Sequence, residues 1–201
     1  MKILLPILLL IAGGVFYYLS YYPPVVLKGR TEGALQTFAN SVELKDRDAV
    51  GAALDQLMTD DVQVKLDVHF FSITSSGNSG IVQDFDKGEF ILFVDNVLYP
   101  LSDYGFMPQL ETFVLTEDRQ SAQITFTAKA WADGASLFGG VSVETRTSTD
   151  VSCQGTVRFT QTTTQLGKAD CSLTLRTVPK PGQAEKIQNN ADAMRDFLIQ
   201  K

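Results

Sequence analysis

The sequence predicts an α+β domain of three helices packed on a mostly antiparallel sheet, behind an N-terminal transmembrane helix. Three observations carry this reading. Residues 3–22 are almost uninterruptedly apolar, the stretch from Thr31 to Met58 has helical spacing, and the spacing changes to two residues after Met58.

The apolar run comes first. Lys2 is its only charge, and about 20 helical residues suffice to cross the hydrocarbon of a bilayer. Tyr17, Tyr18, Tyr21 and Tyr22 sit at its end, where amphipathic rings favour the headgroup region. Large tyrosines and Pro23-Pro24 stand where small residues should precede a signal-peptidase cut, so residues 1–22 read as an uncleaved signal anchor. Its very short leading tail, like that of an export signal, places the following domain in the periplasm or outside the cell, on a single-pass membrane protein. Residues 23–30, opening on two prolines, read as a stiff, extended linker.

Residues 31–178 form the domain. Thr31 is placed to cap a helix with Leu35, Phe38, Ala39 and Val42 on one face. Asp46 is placed to cap a second, with Val50, Ala53, Leu54, Leu57 and Met58 as its stripe. Val62, Val64, Leu66, Val68 and Phe70 then alternate with polar residues as a half-buried strand. Residues 75–80 read as a loop. Asp86 and Glu89 have capping-box spacing for a third helix, with Phe90, Val94, Val97 and Leu98 on one stripe, ended by Pro100. The remainder is strand: 111–116 and 121–132 as a hairpin, then 141–149, 151–161 and 169–178, rich in Thr and Val. Residues 179–201 carry an amphipathic helix over 186–199.

Charge excludes some partners. With Lys2 set aside, the 17 basic residues of the chain fall to 16 against 23 acidic. That balance offers no surface for nucleic acid, which needs clustered Lys and Arg. One histidine and two distant cysteines make no transition-metal site, and no cofactor is expected.

Helix, helix, strand, helix and a long meander resemble the nuclear transport factor 2-like (SnoaL-like) superfamily over roughly residues 31–178. The nearest local echoes are Met58-Thr-Asp-Asp-Val-Gln-Val64 and Asp86-Lys-Gly-Glu-Phe90. The resemblance implies a strongly curved sheet wrapping the helices into a cone with a pocket. It also implies a range of roles: isomerases, dehydratases, cyclases, non-catalytic binding domains, and homodimers formed through a sheet face. Membrane-anchored versions serve as scaffold subunits of type IV secretion systems.

Catalytic candidates are few. His69 is the sole histidine and shares the polar strand face with Asp67, an arrangement that suits either a carboxylate-oriented base or an ordinary surface pair. The isomerases of the resembling family use a carboxylate base with acidic hydrogen-bond donors in an apolar pocket. Tyr99, Asp103 and Tyr104 supply those residue types, and the same segment reads as a turn. Phe126 and Trp131 are the ligand-binding candidates, with ordinary packing as the alternative. Cys153 and Cys171 share the parity of core-facing residues. A turn near 161–164 pairs them as a disulfide, whereas a turn at Leu166-Gly167 keeps them apart as buried thiols. The expected function is a membrane-tethered, non-enzymatic domain binding a small ligand or a protein. The alternatives are a small-molecule isomerase, cyclase or hydratase, and a homodimeric envelope scaffold.

Overall fold

The computed structural model describes residues 10–15, 22–71, 79–138 and 141–183, together with residues 185, 186, 188 and 189. The chain folds as α1 (Tyr22–Glu43), α2 (Arg47–Leu57), β1 (Met58–Phe71), β2 (Ser79–Phe85), α3 (Lys87–Leu98), β3 (Asp103–Leu115), β4 (Ser121–Phe138), β5 (Val141–Phe159) and β6 (Thr164–Pro179). Residues 10–15 are also helical.

The strands form one curved six-stranded sheet in the order β2-β1-β6-β5-β4-β3. Every neighbouring pair is antiparallel except β1 and β6, which run parallel. The three helices lie in the concavity, giving an α+β cone. Alternation explains which strand face they meet: Val62, Val64 and Leu66 of β1, and Ala122, Ile124, Phe126 and Ala128 of β4, are buried at every second position. Helix α2 contributes Val50 and Leu54, and α1 contributes Leu35, Ala39 and Val42.

Two helix starts follow from local capping. Asp46 accepts hydrogen bonds from the Asp48 and Ala49 backbone N–H groups. Asp86 and Glu89 form a reciprocal capping box at α3. Helix α1, by contrast, does not start at Thr31. It begins at Tyr22 and runs through residues 23–30, where an extended linker is expected. Prolines 23 and 24 fall in its first turn, where a missing N–H leaves no bond unmade. Thr31 sits inside the helix, 1% exposed, and its hydroxyl donates to the Leu27 carbonyl at 3.0 Å.

The expectation of a transmembrane helix, and with it single-pass localisation and a tethered domain outside the cytoplasm, is corrected here. Among the described residues no helix is long and apolar enough to cross a membrane. Helix α1 carries Lys28, Arg30, Glu32 and Glu43, and much of residues 3–22 lies outside the described residues. Most of the amphipathic helix expected over 186–199 also falls outside them.

Strand β2 is a further difference. Its Ile81 and Val82 are both more than half exposed and only Phe85 is buried, so no inward-outward alternation marks it in the sequence. Strands 141–149 and 151–161 are one continuous β5.

Candidate functional site

The concave sheet face and the three helices enclose a cavity of about 340 Å³. Its walls are almost wholly apolar. Phe38 of α1, Phe90 and Phe93 of α3, Phe106 of β3 and Phe126 of β4 supply aromatic surface. Phe38 meets Phe106 edge to face at 5.2 Å, and Phe85 backs both Phe90 and Phe93, giving two aromatic groups on the wall. Ala130 and Ala132, whose small side chains leave room beneath α1 and α3, complete the β4 side. Helix α3 buries none of its residues fully, although Phe90, Phe93, Val94 and Leu98 pack against the core and line the cavity.

The sheet also delivers two hydroxyls to this wall. Tyr104, second residue of β3, is 6% exposed, and Thr164, first residue of β6, is 8% exposed. Both line the cavity, and neither hydroxyl has a hydrogen-bond partner among the described residues. A buried hydroxyl without a partner costs roughly 1–3 kcal/mol, and both oxygens are closed off by their neighbours rather than open to the cavity.

A charged and aromatic cluster stands behind Tyr104. The turn between α1 and α2 puts Lys45 in the left-handed region, φ 58°. Its ammonium lies 4.9 Å from the centre of the Tyr104 ring, 5.1 Å from that of Trp131 and 2.9 Å from Asp103 Oδ1. The same Asp103 oxygen accepts from the Tyr104 backbone N–H at 2.9 Å. Arg146 stacks on Trp131 at 4.8 Å and grips the buried Asp133 through two bonds of 2.7 and 2.9 Å. Lys180 adds a third contact at 2.9 Å. The Arg146 guanidinium first, and the Lys180 ammonium second, hold the Asp133 carboxyl far below the usual carboxylate range.

The candidates from the sequence separate into two groups. Phe126 and Trp131 lie on the cavity wall. Asp103 adjoins it through Tyr104 and Lys45 without lining it. His69 and Asp67 pair at 3.2 Å, both about two-fifths exposed, on strand β1 beside Gly80 of β2, and neither lines the cavity. Tyr99 is 73% exposed under the Arg47 guanidinium and is likewise not part of the wall. Cys153 and Cys171 are directly opposite across β5 and β6, joined as a disulfide, and both line the cavity. Parity counted back from Ala169, Cys171 and Leu173 sets Thr164 on the opposite strand face; the register shift that skips Gly167 brings Thr164 and Leu166 to the wall. Among the described residues no group of three or more His, Cys, Asp or Glu side chains could hold a metal ion.

No protein-family model matches the chain, and no curated relative does. Solved structures do. A protein assigned as a scytalone dehydratase from Novosphingobium aromaticivorans superposes with a TM-score of 0.53 at 8% identity, covering 78% of this chain and 87% of that one. A hexachlorocyclohexane dehydrochlorinase superposes with a TM-score of 0.54 at 11% identity, covering 81% and 95%. At such identities the likeness is one of fold alone, an α+β cone.

Proposed function

We propose that the chain is a small-molecule isomerase, cyclase or hydratase that holds its substrate inside the cone. This replaces the tethered, non-enzymatic reading. The observation that carries it is the apolar cavity between the concave sheet and the helices, with Tyr104 in its wall and the unpartnered Tyr104 hydroxyl buried behind that surface. The two superposed structures named above, a dehydratase and a dehydrochlorinase by their names, add an analogy of fold.

Such reactions move a proton from carbon while charge builds on a neighbouring oxygen. The Tyr104 hydroxyl, closed off in the ligand-free chain, is the nearest unpartnered donor and reaches that oxygen only when the bound molecule shifts the wall, where the surrounding hydrocarbon strengthens the bond by excluding water. Among the described residues no carboxylate or imidazole lines the cavity. Asp103 lies off the wall, half exposed and bound to Lys45 at 2.9 Å, so no proton-transfer residue is assigned to the cavity.

Hydrogen–deuterium exchange next to a carbonyl tests this directly. The full chain in D₂O is incubated with a panel of ketones, from cyclohexanone to larger neutral and charged ones, and deuterium uptake is followed by NMR. Exchange above the buffer rate is expected for at least one member. Tyr104→Phe should slow it by roughly 100-fold, the scale of losing one oxyanion donor. Buffer-rate exchange across the panel would sink the enzyme reading.

A further inference from the structure

The two edges of the sheet are not alike. Strand β3, at one edge, is blunted against further pairing: Pro108 has no N–H to offer, and a register shift between Leu110 and Thr112 breaks the ladder. Strand β2, at the other edge, has neither device. Its seven residues, Ser79–Phe85, include no proline and no lysine, pair with β1 without a shift, and carry one charge, Asp84. Among the described residues no strand lies on its outer side, so its outward N–H and C=O groups are open to another strand.

Two side chains show what shape of partner fits. Ile81 is 53% exposed and Val82 is 58% exposed, although both are apolar and β-branched. Neighbours in a strand point to opposite faces, so these two flank the sheet on its two sides. A helix or domain lying on either face covers only one of them. A strand added in the plane meets both. We propose that β2 pairs antiparallel with β2 of a second copy of this chain, about a two-fold axis at Val82, joining two sheets edge to edge.

Charge selects this partner. Full overlap of Ser79–Phe85 with its own copy sets Val82 against Val82, Ile81 against Gln83 and Asp84 against Gly80. The carboxylate thus meets a residue without a side chain and, one strand further, His69, the β1 partner of that glycine. No like charges are opposed, whereas an axis at Asp84 would set two carboxylates face to face. At the axis Val82 meets its like and covers apolar surface otherwise left in water. This pairing is independent of the reaction proposed above.

Sedimentation of the full chain over a range of concentrations tests it. A monomer–dimer equilibrium is expected, of the weak class that a small interface gives. Val82→Lys places two ammonium groups opposite each other at the axis and should weaken association by at least about tenfold. Val114→Lys, at a site 61% exposed on the blunted edge strand β3, should leave association unchanged. Val82→Cys is the positive counterpart, and it reads the edge even if Val82→Lys disturbs β2. Residues opposed in an antiparallel pair have Cα atoms about 4.5–5.5 Å apart, inside the range of a disulfide. Under mild oxidation Val82→Cys should therefore form a covalent dimer, and Val114→Cys should not. A chain that stays monomeric up to about 1 mM, the weak end of the affinity scale, overturns the proposal. So does a dimer that Val82→Lys leaves intact, or one that Val114→Cys traps and Val82→Cys does not.

Discussion

The indole of Trp131 lies across Gly105: a Cβ built on that glycine would stand 2.5 Å from Nε1 and 2.7 Å from Cε2. The two residues are directly opposite in the β3–β4 ladder. Glycine is therefore the residue that lets the ring cover the strand while Lys45 and Arg146 stack on the ring. Gly105→Ala should push the indole from this seat and cost about 1–3 kcal/mol, the usual penalty of overpacking. Urea denaturation measures the loss, and the emission of the sole tryptophan reports whether the ring has moved. An unchanged midpoint with unchanged emission would show that the ring is not seated there.

The disulfide makes a second, independent prediction. Cys153 and Cys171 are 18 residues apart in sequence and close the β5–β6 hairpin. Restricting an unfolded loop of that length is worth about 3 kcal/mol on the chain-entropy account. Cys153→Ala with Cys171→Ala should lower stability by about that amount. Reductant should weaken the wild-type chain and leave the double variant unaffected. A variant as stable as wild type would show that native contacts, not the cross-link, hold the hairpin.

How far these features were legible in the sequence depended on whether their cause was local. Asp46, the Asp86–Glu89 capping box and the alternation of β1 each declare themselves within a few residues, and the helix–strand order of the α+β cone follows from them. The helical start of α1 was hidden because Pro23-Pro24 suits an extended stalk as well as a first helical turn. Strand β2 was hidden because most of its side chains face solvent. The 99–105 segment has turn composition, and only the pairing of β3 with β4 shows that Tyr104 turns inward. His69 and Asp67 drew attention as a chemical pair, yet the register of β1 with β2 leaves them off the cavity wall. The cavity itself belongs to the curvature of the whole sheet, which no short stretch of sequence encodes.

Asp133 predicts a particular acid response. Its carboxyl is nearly fully buried against Arg146 and Lys180, and both cations lower its pKa in the folded chain. In the unfolded chain it titrates near the ordinary aspartate value of about 3.9. The folded state therefore binds fewer protons between the two values, and stability falls as pH falls through that window. Asp133→Asn cannot make the same ion pairs and should be less stable than wild type at pH 7. The gap between the two proteins should hold down to pH ~5 and narrow steadily below pH ~4. Denaturant melts across that range supply the comparison. A gap that does not change with pH would mean that packing, not charge, explains the loss.

Tyr104 makes the most discriminating prediction, because its two roles demand opposite signs. Its hydroxyl is buried without a partner among the described residues, so it works against folding of the ligand-free chain. Tyr104→Phe keeps the ring against the core and beneath Lys45 while removing that oxygen. The variant should therefore be more stable than wild type by about 1 kcal/mol, with a correspondingly higher midpoint in urea. The same change should slow the proton exchange proposed above. Gain of stability with loss of exchange is the pattern of a functional group kept at a structural cost. If Tyr104→Phe destabilised the chain instead, the hydroxyl would be making a bond inside the fold, and the donor role proposed for it could not stand.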